Sequence, residues 1–247
     1  MEEIFWWHSI DLGERVTSGH KTPELLEREW SNLHLPDLAG CSVLDIGCWD
    51  GWFSFRAERE GAARAVALDH YVWSLDLPRQ QAYWRDCRDR GITPKPYHEQ
   101  PELWHPDTLP GKKGFDLAHN SLSSHVEPVV ADFMTTDLNA LGTFDIVLYL
   151  GVLYHVEEPL TALRRVREVT RTLAVIESEA IAVEGQTRSL WEFVPGAEVN
   201  ADIGNWWIPT NEGLQGLCRA AGFREINTIV GPPTGVDRYR LVIHALV

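Results

Sequence analysis

From Gly40 onward the chain alternates short apolar runs with stretches whose apolar positions recur at helical spacing. Residues 42–47 (SVLDIG) read as a strand, and 52–62 (WFSFRAEREGA) as a helix with Arg and Glu on its wet face. Further strands are expected at 64–70, 126–133, 144–155 and 172–180, with helices at 159–169 and 212–221. Near-continuous Val/Ile/Leu runs suit strands covered by helices on both faces. Their alternation with helices predicts a doubly wound α/β fold around a mostly parallel, seven-stranded sheet. The closing runs, REINTIVG and RYRLVIHALV, have no helix between them and predict an antiparallel hairpin at the sheet edge.

Two segments break the alternation. Residues 1–39 precede the first strand, are rich in Trp and His, and form an extension or cap to a domain spanning 40–247. Residues 71–113 carry Pro94, Pro96, Pro101, Pro106 and Pro110 together with Trp73, Trp84 and Trp104. A loop of that length inside a compact domain reads as a lid-like insertion.

Chemistry concentrates where the strands end. Asp45, Gly47 and Gly51 lie between the first strand and its helix, and open α/β sheets bind ligands outside the carboxyl ends of their strands. Glycine permits positive φ and close backbone approach. Asp69, followed by His70, ends the second strand, where a carboxylate can accept both hydroxyls of a ribose. A dinucleotide turn needs room for a pyrophosphate at the helix N-terminus, and Trp49 fills that room. The ligand this turn tolerates is therefore adenosyl and phosphate-free, which is S-adenosyl-L-methionine. Trp49 then packs beside the methionine portion, or else is a core anchor. Asp132 and Phe133 suit an adenine, the acid accepting from its amine and the ring covering its face, with an ordinary helix cap as the alternative for Asp132. Leu150, Tyr154 and His155 end the fourth strand.

Composition narrows the partners. The net charge of −14 repels nucleic acid over most of the surface, so a small-molecule substrate is expected. The longest apolar run, 146–154, is half of the ~18 residues that span a bilayer, and the acidic start MEEIFWWHSI shows no signal peptide. Four cysteines without a C-x-x-C pair fit a reducing, cytoplasmic setting and no zinc site.

The motifs VLDIGCWDG, ALD, ADF and FDIVLYLGVLYHVEEPL resemble those of class I S-adenosylmethionine-dependent methyltransferases. The last of these, with VPGAEVNADIGNWWIPTNEGLQGLCRAAGF and RYRLVIHA, is similar to the transferase family that modifies the 5-oxygen of wobble uridine in tRNA by carboxymethyl transfer. That resemblance implies cofactor contacts at Gly47, Asp69, Asp132, Phe133, Leu150 and Tyr154, and a carboxylate-holding role for Arg240. It also implies tRNA as an alternative partner. The chain departs from the pattern at Trp49, at His8, where a carboxylate-binding lysine falls, and at Glu27, where a basic residue facing tRNA falls.

Methyl transfer to a hydroxyl calls for a base. His155 is the first candidate, with packing or capping as the alternative, and Tyr154 would position substrate or cofactor. Glu177 and Glu179 could hold a substrate amine or a metal, with plain solvated carboxylates as the alternative. Eleven tryptophans, among them the pairs Trp6–Trp7 and Trp206–Trp207, suggest an aromatic pocket wall. Trp7, His8, Trp207 and Arg240 are the expected substrate-binding residues.

Overall fold

The structure is a computed structural model that describes residues 4–95, 99–185, 187–194, 196–199 and 202–247. Pro96 of the insertion, and Pro195, Asn200 and Ala201 of the late motif, lie outside the described residues. The helices are α1 (Pro23–Asn32), α2 (Trp52–Arg59), α3 (Leu77–Asp89), α4 (Lys113–Ser121), α5 (Pro159–Val169) and α6 (Asn211–Ala221). The strands are β1 (Ser42–Ile46), β2 (Arg64–Asp69), β3 (Glu127–Val130), β4 (Phe144–Leu150), β5 (Thr170–Ile181), β6 (Trp191–Phe193), β7 (Trp207–Pro209), β8 (Glu225–Val230) and β9 (Arg238–Leu246).

Seven strands form one sheet in the order β3-β2-β1-β4-β5-β9-β8. The first five run parallel, and β9 enters antiparallel between β5 and β8. The alternation of side chains decides what each face buries. Leu44, Ile46, Val147 and Tyr149 pack against Leu163 and Val166 of α5 and Leu214 of α6. Val43, Leu148 and Val175 pack on the opposite face with Phe53 and Ala57 of α2. Asp45 shares that second face and so lies beneath α2.

Local chemistry sets the helix boundaries. Thr22, Asp76 and Thr210 cap α1, α3 and α6 by accepting from backbone N–H groups in the first turn. Gly222 closes α6 in the left-handed conformation, φ 103°. The third strand is shorter than 126–133: it stops at Val130, and Asp132 and Phe133 belong to the turn after it. The short antiparallel pair β6–β7 has too few residues to show a period.

The insertion is not structureless. It contains the 13-residue α3, and Trp73, Leu75, Leu77, Cys87 and Leu103 are buried. An Asp-Leu-Pro helix start at Asp76 and apolar anchors on both sides outweigh the prolines, which fall after the helix.

Gly47 carries a constraint of its own. It sits at φ +76°, and a Cβ there would lie 2.5 Å from Val152 Cγ2. Left-handed backbone and overlap in a packed site together should make Gly47→Ala lose roughly 2–4 kcal/mol of stability. Denaturant unfolding measures this. Adding Val152→Ala should recover the steric share and leave the backbone share.

Candidate active site

The turn after β1 is held from several directions. Gly47 N donates to Leu68 O, and Gly51 N to Cys48 O. Trp49 occupies the left-handed region at φ 54°, which a bulky residue adopts only when its surroundings over-determine it. Here its N–H donates to Asp69 Oδ2 at 3.0 Å, and its carbonyl accepts from Trp73 Nε1 at 2.6 Å. The Trp49 ring stacks on Trp7 at 4.8 Å and 12°, with Phe5 farther along the same stack. Its Nε1 is buried with no hydrogen-bond partner. The indole is thus joined to the N-terminal segment. Gly51 faces the core instead: a Cβ there would meet Phe115 at 2.6 Å.

Asp69 is 3% exposed, and its Oδ1 accepts from Val72 N at 3.0 Å. Burial pushes its pKa up to about 6, against the backbone N–H groups of Trp49 and Val72, which act to lower it. The backbone N–H groups of Trp73 and His70 act in the same direction. A carboxylate that ends β2 is an acceptor for hydroxyl donors, and in this respect the residue fits the ribose of an adenosyl group. His70, beside it, packs edge-on against Trp104 at 5.5 Å.

Asp50 is the residue that sequence reasoning missed. It is 1% exposed, its Oδ2 accepts from both Trp7 N and His8 N at 2.9 Å, and its Oδ1 pairs with His8 Nδ1. One carboxylate thereby ties the N-terminal segment to the turn. Nothing local marks it, because its partners lie 42 and 43 residues away. His8 is itself 5% exposed. The imidazole expected to bind substrate at position 8 is thus engaged by Asp50 in this structure.

Asp45 Oδ2 accepts from Ser54 Oγ of α2 at 2.6 Å. Burial raises its pKa to about 6, while Ser54 and His8 act to lower it. The folded state therefore binds this proton more tightly than the unfolded chain does. Stability from it is present below pH 4 and is lost as pH rises through 6. In Asp45→Asn the amide oxygen still accepts from Ser54 without a charge. The variant should gain on the wild type between pH 4.5 and 7.5, up to ~3 kcal/mol. Chemical denaturation at the two pH values measures the difference.

At the end of β3, Asp132 accepts from Met134 N and Thr135 Oγ1, both at 2.9 Å, the capping role held open above. Phe133 is 7% exposed and packs in the core 6.2 Å from Tyr149. The expected adenine-covering ring is therefore turned largely into the core, because its carbonyl is fixed by Arg165 Nε and its ring is covered by the same guanidinium.

Beyond Leu150 the chain turns at Gly151, φ 72°, into a short 3-10 turn at Leu153–His155. Tyr154 is 8% exposed, and its hydroxyl accepts from Arg240 at 3.2 Å. Burial moves the phenol's pKa up. Arg240 of β9 grips Glu177 through two N–H groups and Glu179 at 2.9 Å. Two carboxylates therefore surround the guanidinium that the resemblance assigns to a cofactor carboxylate. His155 Nδ1 lies 2.9 Å from Gly204 O. A carbonyl only accepts, so Nδ1 carries the proton and Nε2 keeps its lone pair. The ring keeps 38% of its side-chain surface open in a rim dense with protein. Desolvation there lowers its pKa below the usual histidine value, and Arg240 acts the same way, against Asp202 and Gly204. Trp207 donates from Nε1 to Glu157 O at 3.0 Å, and its ring meets Phe193 at 4.9 Å. Phe193 is half exposed.

The structure thus forms two groups. One is Trp7, His8, Trp49, Asp50 and Asp69 around the β1 and β2 ends. The other is Tyr154, His155, Glu177, Glu179, Trp207 and Arg240 around the β4 and β5 ends. Among the described residues, no helix is long and apolar enough to cross a membrane.

A seven-stranded sheet of this order, with a glycine turn after β1 and an acid ending β2, is the Rossmann-like fold of class I S-adenosylmethionine-dependent methyltransferases. The pattern of the family described as "Methyltransferase domain" matches residues 18–227, and the chain belongs to that family. It is 25% identical over 207 residues to the tRNA U34 carboxymethyltransferase of Idiomarina loihiensis, covering 84% of this chain and 53% of that one. With the enzyme of the same name from Aeromonas hydrophila the identity is 24% over 236 residues, 96% of this chain and 59% of that one. The chain spans about half the length of these curated relatives. The N-terminal domain of EvdMO1, solved in the presence of SAH and D-fucose, shares the fold with a TM-score of 0.60 at 18% identity, covering 98% of this chain and 91% of that one.

Proposed function

We propose that this methyltransferase moves a methyl group from S-adenosylmethionine to a hydroxyl oxygen of a small molecule. The observation that carries the reading is the state of Arg240, which the resemblance assigns to a cofactor carboxylate, and of His8, which stands where the family's carboxylate-binding lysine falls. His8 is buried on Asp50, and Arg240 is held between Glu177 and Glu179. A carboxylated cofactor would have to displace one of these acids, whereas an ordinary methyl donor makes no such demand. The formal charge of −14 argues in the same direction against a polyanionic acceptor.

In this reading Asp69 accepts from the ribose hydroxyls, the Gly47–Gly51 turn lies along the amino-acid portion, and Asp132 accepts from the adenine amine. Bound S-adenosylmethionine would supply an electrophilic methyl group, the acceptor oxygen gaining the O–C bond as the S–C bond breaks and S-adenosylhomocysteine leaves. The protein has to align the acceptor oxygen and exclude water. Nε2 of His155 accepts the proton that the hydroxyl loses, and Tyr154 orients the acceptor. Phe193, Trp207 and Trp7 supply aromatic surface.

A second reading, transfer to wobble uridine of tRNA, is favoured by the curated relatives. Incubation with methyl-labelled cofactor and either deproteinised metabolite extract or total tRNA separates the two. Label in small organic products supports the first reading. Label only in tRNA, with salt-sensitive tRNA binding, overturns it.

A further inference from the structure

The segment leading into β7 is knitted together and pinned to the turn that carries His155. Asn205, 1% exposed, donates its amide to Val199 O at 2.8 Å and to Asp202 O at 3.0 Å. Trp206 N donates to Tyr154 O at 2.7 Å. Within this clamp Asp202 Oδ1 accepts from Gly204 N at 2.7 Å, which holds the peptide preceding Gly204, while the Asn205 amide holds the residue after it. The carbonyl of Gly204 then receives the Nδ1 proton of His155 at 2.9 Å, while Asp202 Oδ2 stands 4.0 Å from the same nitrogen. A Cβ on residue 204 would come within 3.1 Å of Asp202 Oδ1 and 3.5 Å of His155 Nδ1, which places both side chains close against this residue.

We propose that Asp202 is a positioning residue for His155: through Gly204 it fixes the tautomer that leaves Nε2 free, and its charge stabilises the imidazolium formed when Nε2 takes the acceptor's proton. The inference rests on His155 being the base of the reaction proposed above. A base oriented by a second group, itself held by a third, follows the general logic of activated proton acceptors. The device here sits on two elements far apart in sequence, the turn after β4 and the loop before β7. The other groups facing the ring are Tyr154, whose ring centroid is 4.3 Å away, and Arg240, which opposes protonation.

The test reads the imidazole directly. The 247-residue chain carrying ¹⁵N-labelled histidine is titrated by long-range ¹H–¹⁵N spectroscopy, alone and with S-adenosylhomocysteine, and His155→Gln assigns the resonances. The wild type should show a single Nδ1-protonated tautomer at neutral pH. Asp202→Asn keeps an oxygen for Gly204 N, so it should retain the tautomer and titrate at lower pH, since a neighbouring negative charge has been removed. Asp202→Ala should lose the preference for one tautomer. An Nε2-protonated ring in the wild type, or an unchanged titration in Asp202→Asn, overturns the proposal. Methyl transfer persisting in His155→Gln, with these spectra as expected, refutes the base and leaves the orientation standing.

Discussion

Asp69→Ala should weaken binding of S-adenosylhomocysteine by about 10²–10⁴-fold, measured by calorimetry at pH 7.5. Two hydroxyl donors to a carboxylate contribute roughly 1.5–3 kcal/mol each, and both are lost together. The fold should survive the change because two effects offset one another. Alanine leaves the N–H groups of Trp49 and Val72 without their acceptor, at a cost of ~1–3 kcal/mol each. It also removes a buried carboxylate whose pKa of about 6 marks a cost of ~3 kcal/mol for its charged form at neutral pH. The same pKa gives a pH dependence. Ligand hydroxyls donate to the ionised group, so protonation competes with binding. Affinity should hold above pH 7 and fall as pH drops through 6, by up to tenfold per unit. Undiminished binding by the alanine variant, or a flat profile from pH 7.5 to 5, would remove Asp69 from the site.

His155→Gln should lower kcat by about 10²–10⁴, the usual range for loss of a positioned base, while leaving the KM for S-adenosylmethionine unchanged. The measurement is steady-state methyl transfer to the acceptor identified by labelling. Because desolvation lowers the pKa of His155, the ring is neutral through the physiological range. The wild-type rate should therefore rise with pH along a limb below the ordinary histidine value and then level off. A variant with lowered affinity and normal kcat would mark His155 as a packing or binding residue instead.

Much of the fold is legible along the chain. The runs around Leu44, Val66, Val147 and Val175 are apolar because β1, β2, β4 and β5 are buried on both faces, a property of composition over four to eight residues. Asp45, Gly47, Gly51 and Asp69 are legible for a related reason. Gly47 follows the last residue of β1 and Asp69 is the last of β2, Asp45 interrupts the apolar run inside β1, and Gly51 caps α2. The insertion is harder to read because two local signals compete there. In 71–113 the prolines suggested a loop, while Asp76, Leu77 and Pro78 started a helix.

The chain order of apolar and polar residues determined the sheet, its helices, and the acid and glycine at the ends of its first strands, since these depend on neighbours a few positions apart. Tertiary structure alone decided how the side chains are spent. Asp50 fastens a segment 42 residues away, Glu177 and Glu179 surround Arg240, and Gly204 orients His155 across 49 residues. Hydrogen bonds and charges act over a few ångströms, and which groups come that close is fixed by the packing of the whole chain.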